Sequence, residues 1–238
     1  MADDRATLAE EEYLESLFWL FEAELPMTGA NLARAMQLSA PTVHEMLGRL
    51  ERDGYIARTS GRGIEFTDDG RGHAEAIVSR HRMIERFLTD VVGVPWDDVH
   101  KEAEQLEHAM TPRFEAYVRA SVGDATTCPH GHPIRVGERI DGVPLADCKV
   151  GATVTILRLE NEAEDLLHYL KQAGIEPGMK GSVASNDGEC VEVSSGDGGI
   201  SSVTVSVAET VSVLADPSPP PRTALPEQLV LGRERYGR

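Results

Sequence analysis

The feature that most constrains the fold is a change in the spacing of apolar residues between positions 28 and 67. Thr28 can cap a first short helix, and Ser39 followed by Pro41 can open a second, because each precedes apolar residues at helical spacing. Polar and apolar residues then alternate on both sides of Gly61-Arg62-Gly63, which predicts a hairpin. Two short helices followed by a hairpin are typical of a winged helix-turn-helix.

The second of these helices, expected from Pro41 to Arg52, carries polar and basic side chains suited to reading DNA. Five arginines stand against three acids over residues 31–62, a local charge of +2 in a chain of net charge −17. Such groups can bind phosphates, and Glu45 can accept a hydrogen bond from a cytosine amino group. A protein-binding module with solvated helix faces remains an alternative. The residues we predict for the DNA interface are Ser39, Pro41, Thr42, His44, Glu45, Arg49, Arg52, Arg58 and Arg62.

The composition of the whole chain argues against several other classes of protein. A net charge of −17 disfavours indiscriminate binding to nucleic acids or anionic membranes. The sequence has no stretch of 18 apolar residues and no apolar run behind its first methionine, so we expect neither a spanning helix nor a secretion signal. Three widely spaced cysteines predict a reducing compartment rather than a disulfide scaffold. We therefore expect a cytoplasmic protein that does not bind membranes.

A second pattern consists of carboxylates and histidines on predicted helices. Glu104, Glu107 and His108 share one helix face, and Glu12 and Glu15 lie one turn apart on the first helix. Taken singly, such residues are commonly solvated acids or hydrogen-bonded core histidines. If the four acids converge, their repulsion costs several kcal/mol unless protons or cations compensate it, and two divalent ions would balance the charge. Carboxylate and imidazole ligands without thiolate suit Mn²⁺ and accommodate Fe²⁺.

These residues occur together with the helix-turn-helix in an order that resembles the diphtheria toxin repressor family of metal-dependent regulators. The resemblance covers about residues 8–135 closely. It extends more loosely over 148–214, where longer members carry an SH3-like (FeoA-like) domain. The matching stretches are Glu12-Tyr13-Leu14-Glu15, Ser39-Ala40-Pro41-Thr42-Val43, Leu50-Glu51-Arg52-Asp53-Gly54, Arg80-His81-Arg82, Glu85-Arg86-Phe87-Leu88, Val99-His100-Lys101-Glu102-Ala103-Glu104 and Glu107-His108.

Pattern and resemblance together predict a mainly α chain with a small β content. We expect a winged helix-turn-helix DNA-binding domain over residues 1–72 and a helical metal-binding and dimerisation domain over 73–140. An SH3-like β-barrel is expected over 148–215. Residues 216–238 begin with a proline-rich stretch and have little apolar content, which predicts a flexible tail.

The resemblance also implies a set of metal ligands. The iron-responsive branch of the family has Met at the position of Glu12 and Cys at the position of Glu104, whereas the manganese-responsive branch has acids at both. The chain is therefore similar to the manganese branch, which implies a pair of ions per subunit. The implied ligands are Glu12, Glu15, His81, Glu104, Glu107 and His108.

An ancillary site of the iron type would instead use His81, Glu85 and His100 with side chains from the third domain. Both sites require His81, so they cannot both be fully occupied in their family form. The loop Cys128-Pro129-His130-Gly131-His132 either binds metal through alternating ligands or connects two domains; we favour the connection, because its prolines and glycine define its path. The third-domain acids left open as ligands are Glu160, Glu162, Glu164 and Asp165.

We therefore expect a Mn(II)-dependent transcriptional repressor that controls metal homeostasis and binds a palindromic operator as a homodimer. Metal would act as co-repressor by drawing the first helix onto the dimerisation helices, which sets the separation of the two DNA-binding domains. The main alternative is an Fe(II)-responsive repressor of iron-uptake genes. A metal-dependent enzyme and a metal-buffering scaffold are weaker alternatives, because the sequence lacks a nucleophile motif and a phosphate-binding glycine loop.

Overall fold

The protein is described by a computed structural model that covers residues 6–59, 63–196 and 198–219. Two predictions from the sequence lie wholly or mostly outside these residues. One is the DNA contact of Arg62, and the other is the flexible tail expected over 216–238, of which only the first four residues are described.

The N-terminal unit has the predicted order of three helices and a hairpin. Helix α1 spans Leu8–Glu22, α2 spans Gly29–Ala35 and α3 spans Ala40–Arg52. Strand β1, Ile56–Arg58, pairs antiparallel with β2, Ile64–Phe66. The helix-turn-helix and its hairpin predicted from the sequence are therefore present.

Side-chain caps begin both helices of the helix-turn-helix, as the sequence predicted. Thr28 Oγ1 accepts a hydrogen bond from the backbone of Asn31 at 3.2 Å, and Ser39 Oγ accepts one from the backbone of Thr42 at 3.3 Å. Each satisfies a donor that the first helical turn leaves unpaired. The apolar faces pack into one buried core, whose fully buried members include Leu14, Leu17, Phe18, Leu32 and Leu50.

Three further helices follow. Helix α4 spans Asp68–Phe87, so it runs without interruption across the expected boundary at 72–73, and it continues into a π-helical turn, Leu88–Val92. Helices α5, Val99–Glu107, and α6, Pro112–Val122, complete this region. Helix α4 contacts α1 on one side and α5 and α6 on the other, so it joins the DNA-binding unit to the helices behind it.

The C-terminal part is a sheet of six antiparallel strands in the order β3-β8-β4-β5-β6-β7. Helix α7, Glu164–Gln172, follows β4, and the short helix α8, Val205–Ala208, follows β7. A buried core includes Leu145, Ile156 and Leu167. The strands are β3 Val143–Pro144, β4 Thr153–Leu159, β5 Lys180–Asn186, β6 Cys190–Ser195, β7 Ile200–Thr204 and β8 Val211–Asp216.

The expectation of an SH3-like β-barrel requires correction, because this sheet is open. A barrel closes only when its edge strands pair with each other. Among the described residues, β3 is two residues long and pairs only with β8, while β7 pairs only with β6. Of the described helices, none is both long and apolar enough to cross a bilayer.

The junction between the hairpin and α4 depends on glycine at position 70. A Cβ added to Gly70 would lie 1.8 Å from the carbonyl oxygen of Tyr55, whereas a Cβ added to Gly72 would have no neighbour within 4 Å. We predict that Gly70→Ala lowers the free energy of unfolding by about 1–3 kcal/mol, because a backbone atom must move. Gly72→Ala should raise it by about 0.5–1 kcal/mol, since alanine favours a helix.

Urea unfolding followed by circular dichroism measures both variants. Equal stability of the two would contradict the packing described at this junction.

Candidate metal centre

Helices α1 and α5 bring acids and a histidine together at the junction of the first two regions. Glu15 of α1 and Glu107 and His108 at the end of α5 have ligand atoms that all lie within 4.8 Å of one another. Both carboxylates are buried, and His108 Nε2 lies 3.1 Å from Glu107 Oε1. Glu11, one turn before Glu15, places Oε2 2.8 Å from His108 Nδ1. We call Glu15, Glu107 and His108 the α1–α5 cluster.

A second group takes residues from α4, α5 and the segment after β4. The ligand atoms of His81, Glu85, His100 and Glu162 also lie within 4.8 Å of one another. His81 Nε2 is 3.0 Å from Glu85 Oε1, and His100 Nδ1 is 3.0 Å from Glu162 Oε2. We call these four residues the inner cluster. Of the four third-domain acids that the sequence left open, Glu162 is the one found in either cluster among the described residues.

His81 stands between the two clusters. Its Nδ1 lies 2.7 Å from Glu107 Oε2 and 3.7 Å from Glu15 Oε1, while its Nε2 faces Glu85 and, at 3.1 Å, His100 Nδ1. A neutral imidazole has one lone-pair nitrogen. His81 can therefore ligate an ion in one cluster at a time. This geometry explains why the two metal sites predicted from the sequence cannot both use His81.

The loop 128–132 contributes functional side chains that the sequence analysis did not select. The ligand atoms of Cys128 and His130 lie within 4.8 Å of each other and of a Glu85 oxygen, and all three residues are buried. His132 Nε2 lies 3.2 Å from Glu162 Oε1. The sequence favours a connecting role for this loop, whereas the structure places its side chains beside the inner cluster. The alternation of cysteine and histidines is the sequence signal for this placement.

The donor set fits a divalent cation. Oε2 of Glu85 is buried and accepts no hydrogen bond from any of the described residues. A buried oxygen without a partner is costly, and a cation would satisfy it. Oxygen and imidazole donors in both clusters suit Mn²⁺ or Fe²⁺, and the thiol of Cys128 beside the inner cluster adds a softer donor.

Protonated histidines balance the buried carboxylates of the two clusters. Burial disfavours the charged imidazole of His108, but hydrogen bonds to Glu107 and Glu11 outweigh it and raise its pKa to about 10. Burial opposes ionisation of Glu107 as well, yet the charge of His81 and the hydrogen bond from His108 lower its pKa to about 2. The pKa of His81 lies well above its ordinary value, because Glu85 and Glu107 outweigh its burial.

Two predicted ligands, Glu12 and Glu104, lie outside both clusters. Glu104 Oε1 is 3.6 Å from His100 Nε2, and its side chain is 32% exposed. Glu12 is half-buried on α1. The other third-domain acids have different surroundings: Glu160 lies 3.0 Å from Arg158 Nη2, and Glu164 pairs with Lys101.

The predicted DNA-contact residues lie on an accessible face of the N-terminal unit. Ser39, Pro41, Thr42, His44, Glu45 and Arg52 are exposed. Arg49 and Arg58, the other two described arginines of the predicted interface, form ion pairs within the protein, although Arg58 is also exposed. Arg49 Nε lies 2.7 Å from Glu10 Oε1, and Arg58 Nε lies 3.1 Å from Glu51 Oε2.

The sequence matches three family models. The iron dependent repressor N-terminal DNA binding domain matches residues 7–64, the iron dependent repressor metal binding and dimerisation domain matches 67–135, and the FeoA domain matches 143–214. The helix-turn-helix and the buried carboxylate–histidine clusters of this chain are therefore parts of a metal-dependent transcriptional regulator.

Curated proteins with similar sequences are repressors of the same class. The iron-dependent repressor IdeR of Mycobacterium bovis is 32% identical over 199 residues, which cover 77% of this chain and 86% of IdeR. The diphtheria toxin repressor of Corynebacterium diphtheriae is 34% identical over 146 residues, 61% of this chain and 64% of that protein. The chain belongs to the iron-dependent repressor, or diphtheria toxin repressor, family, with a FeoA domain.

Solved structures of similar fold include manganese regulators. A manganese-dependent transcriptional repressor in complex with manganese has a TM-score of 0.78 and 29% identity, and the match covers 87% of this chain and 99% of that one. The manganese regulator SloR has a TM-score of 0.70 and 25% identity, with coverage of 86% and 97%.

The protonated histidines predict that metal binding releases protons. A metal-bound imidazole must be neutral, so Mn²⁺ should displace about one to two protons per chain near neutral pH. Because the pKa of His108 is about 10 in the free protein, Mn²⁺ affinity should rise between about pH 6 and about pH 9. Calorimetry in buffers of different ionisation enthalpy measures the release.

His73 of α4 provides a control, because it packs on Tyr55 and belongs to none of the groups of possible metal ligands among the described residues. His73→Gln should release as many protons as the natural chain, whereas His108→Gln should release fewer. Equal release from all three proteins would contradict this account.

Proposed function

We propose that the chain is a Mn(II)-dependent repressor of genes for metal homeostasis, and that it binds a palindromic operator as a homodimer. The observation that carries the proposal is the α1–α5 cluster. Glu15 belongs to a helix of the DNA-binding unit, whereas Glu107 and His108 belong to the region matched by the metal binding and dimerisation model. A ligand held by all three residues joins the two units. Because the family consists of DNA-binding transcriptional repressors, we do not propose an enzyme.

The mechanism follows from the charges that meet between α1 and α5. A divalent ion held there would supply two positive charges to these buried carboxylates. Glu15 and Glu107 would hold it with His108, and His81 would turn a neutral nitrogen either to this cluster or to the inner one. The same acids are also paired with protons carried by His81 and His108. An ion held by Glu15, Glu107 and His108 would replace these proton-dependent contacts and tie α1 to α5 directly.

The choice of metal rests on the donors. The α1–α5 cluster offers oxygen and imidazole nitrogen alone, which favours a harder ion such as Mn²⁺. Two clusters support two ions per subunit, with Glu12 and Glu104 as further candidate ligands. The specific observation that favours Fe²⁺ as the alternative is Cys128, whose sulfur lies beside Glu85 and His130. Operator binding under anaerobic competition between Mn²⁺ and Fe²⁺ discriminates the two.

A second copy of the chain has a suitable surface on which to dock. Between residues 88 and 122, five large apolar side chains are between 43% and 59% exposed. Exposed apolar groups in such number commonly mark an interface. The family model for this region describes it as a dimerisation domain. The side chains are Val91, Val92, Leu106, Phe114 and Tyr117.

Metal-dependent operator binding is the first prediction from this proposal. We expect Mn²⁺ to tighten binding to a duplex from the promoter region upstream of the chain's own gene by about 5–150-fold, the range of a 1–3 kcal/mol coupling. Glu107→Gln should remove most of this gain, because one carboxylate of the α1–α5 cluster is lost. Glu102→Gln, exposed on the same helix, is the matched control and should keep the gain.

Fluorescence anisotropy of the labelled duplex, with Mn²⁺ and with chelator, gives both affinities. Identical duplex affinities with Mn²⁺ and with chelator for the natural chain would contradict the proposed function.

Dimerisation provides a second prediction. Phe114→Lys should shift the mass measured by sedimentation velocity from two chains toward one at about micromolar concentration, because a charge would be buried in the interface. Ile200→Lys, at a side chain 66% exposed on β7, should leave the mass unchanged. Dissociation by Ile200→Lys but not by Phe114→Lys would place the interface on the sheet instead.

A further inference from the structure

The first turn of α1 is attached to the helix that faces DNA. Glu10 is buried, and its Oε2 accepts hydrogen bonds from Thr7, at 2.6 Å from the backbone nitrogen and at 2.8 Å from Oγ1. Its other oxygen, Oε1, lies 2.7 Å from Arg49 Nε in the last turn of α3. One carboxylate therefore both caps α1 and binds α3.

The neighbouring side chain of the same turn faces the metal ligands. Glu11, the next residue, contacts His108 with Oε2 at 2.8 Å, and Glu15 lies one turn further along α1 in the α1–α5 cluster. Since α1 is a continuous helix from Leu8 to Glu22, a change in the position of Glu11 and Glu15 also moves Glu10. The Glu10 carboxylate transfers that movement to Arg49.

Burial makes this ion pair different from an ordinary surface pair. Exposed ion pairs contribute little, because water and salt screen them. The Glu10 side chain is only 4% exposed, whereas that of Arg49 is 42% exposed, so the acid has few water molecules to replace a lost partner. Arg49 also lies 3.7 Å from Asp53 and donates to Thr7 Oγ1 at 3.5 Å. Its guanidinium is therefore committed to the protein rather than directed freely toward phosphate.

We propose that Glu10 and Arg49 are positioning residues that transmit metal occupancy of the α1–α5 cluster to helix α3. The inference rests on the proposed function and adds the route by which the metal signal reaches the DNA-reading helix. Arg49 then acts by holding α3 to α1, in place of the direct DNA contact that the sequence predicted for it.

The variants that test the route remove one charge each. Glu10→Gln keeps the cap of α1, because glutamine also serves at this position of a capping box, but it removes the charge that binds Arg49. Arg49→Gln removes the other charge. Arg52→Gln is the matched control, because Arg52 is exposed on the same helix. Trp19 reports metal occupancy by its fluorescence, since its ring centre lies 6.1 Å from those of His81 and His100.

The quantity to measure is the ratio of duplex affinities with Mn²⁺ and with chelator. We expect Glu10→Gln and Arg49→Gln each to lower this ratio by about fivefold or more, and the double variant to lower it no further, because one contact is lost in all three. Arg52→Gln should weaken duplex binding equally in both conditions and keep the ratio, as loss of a phosphate contact does.

Linkage supplies a second readout that a general loss of stability does not produce. In the natural chain the duplex must tighten Mn²⁺ binding, followed by Trp19 fluorescence, by the same factor as Mn²⁺ tightens duplex binding. In Glu10→Gln and Arg49→Gln, the factor by which the duplex tightens Mn²⁺ binding should fall by as much as the ratio of duplex affinities with Mn²⁺ and with chelator.

Two different failures are distinguishable. A natural chain without any Mn²⁺ effect on the duplex contradicts the proposed function itself. A natural chain with the effect, and a Glu10→Gln variant that keeps it in full or binds the duplex more tightly in both conditions, overturns the route through Arg49. In that case Arg49 is a DNA contact restrained by Glu10.

Discussion

The structure depends on buried acids of like charge that meet where three parts of the chain join. Glu15 comes from α1, Glu85 from α4, Glu107 from α5 and Glu162 from the segment after β4, and all four are buried. Such a group persists only with compensating cations. Protonated histidines supply them in the metal-free chain, and a divalent ion can take their place. Fold and response to metal are therefore governed by the same charges.

The end of α1 away from Glu10 is held by two arginines, one of which also reaches the FeoA domain. Glu22, the last residue of α1, pairs with the buried Arg82. Arg139 donates one hydrogen bond to the backbone oxygen of Glu22 at 2.7 Å and another to Glu160 Oε1 at 3.1 Å. Glu160 of this domain is thus linked to α1 through Arg139, and Glu162 of the same domain belongs to the inner cluster.

Local sequence patterns predicted which members of the candidate clusters lie on the same helix. Glu107 and His108 follow from helical spacing, as does Glu15 on α1. The contribution of loop 128–132 could not be predicted in this way, because tertiary packing determines it: a Cβ on Gly131 would lie 1.9 Å from the carbonyl oxygen of Leu157, so the loop lies directly against β4. The open edge of the sheet and the pairing of Arg49 with Glu10 likewise depend on contacts between distant segments.

The central claim is that metal joins α1 to α5, and hydrogen–deuterium exchange of the full chain with and without Mn²⁺ tests it most directly. The account predicts that Mn²⁺ slows exchange of backbone amides in α1, Leu8–Glu22, together with those at the end of α5. Slower exchange confined to α4, α5 and α6, with α1 unchanged, would show that the metal does not hold the DNA-binding unit and would contradict the account.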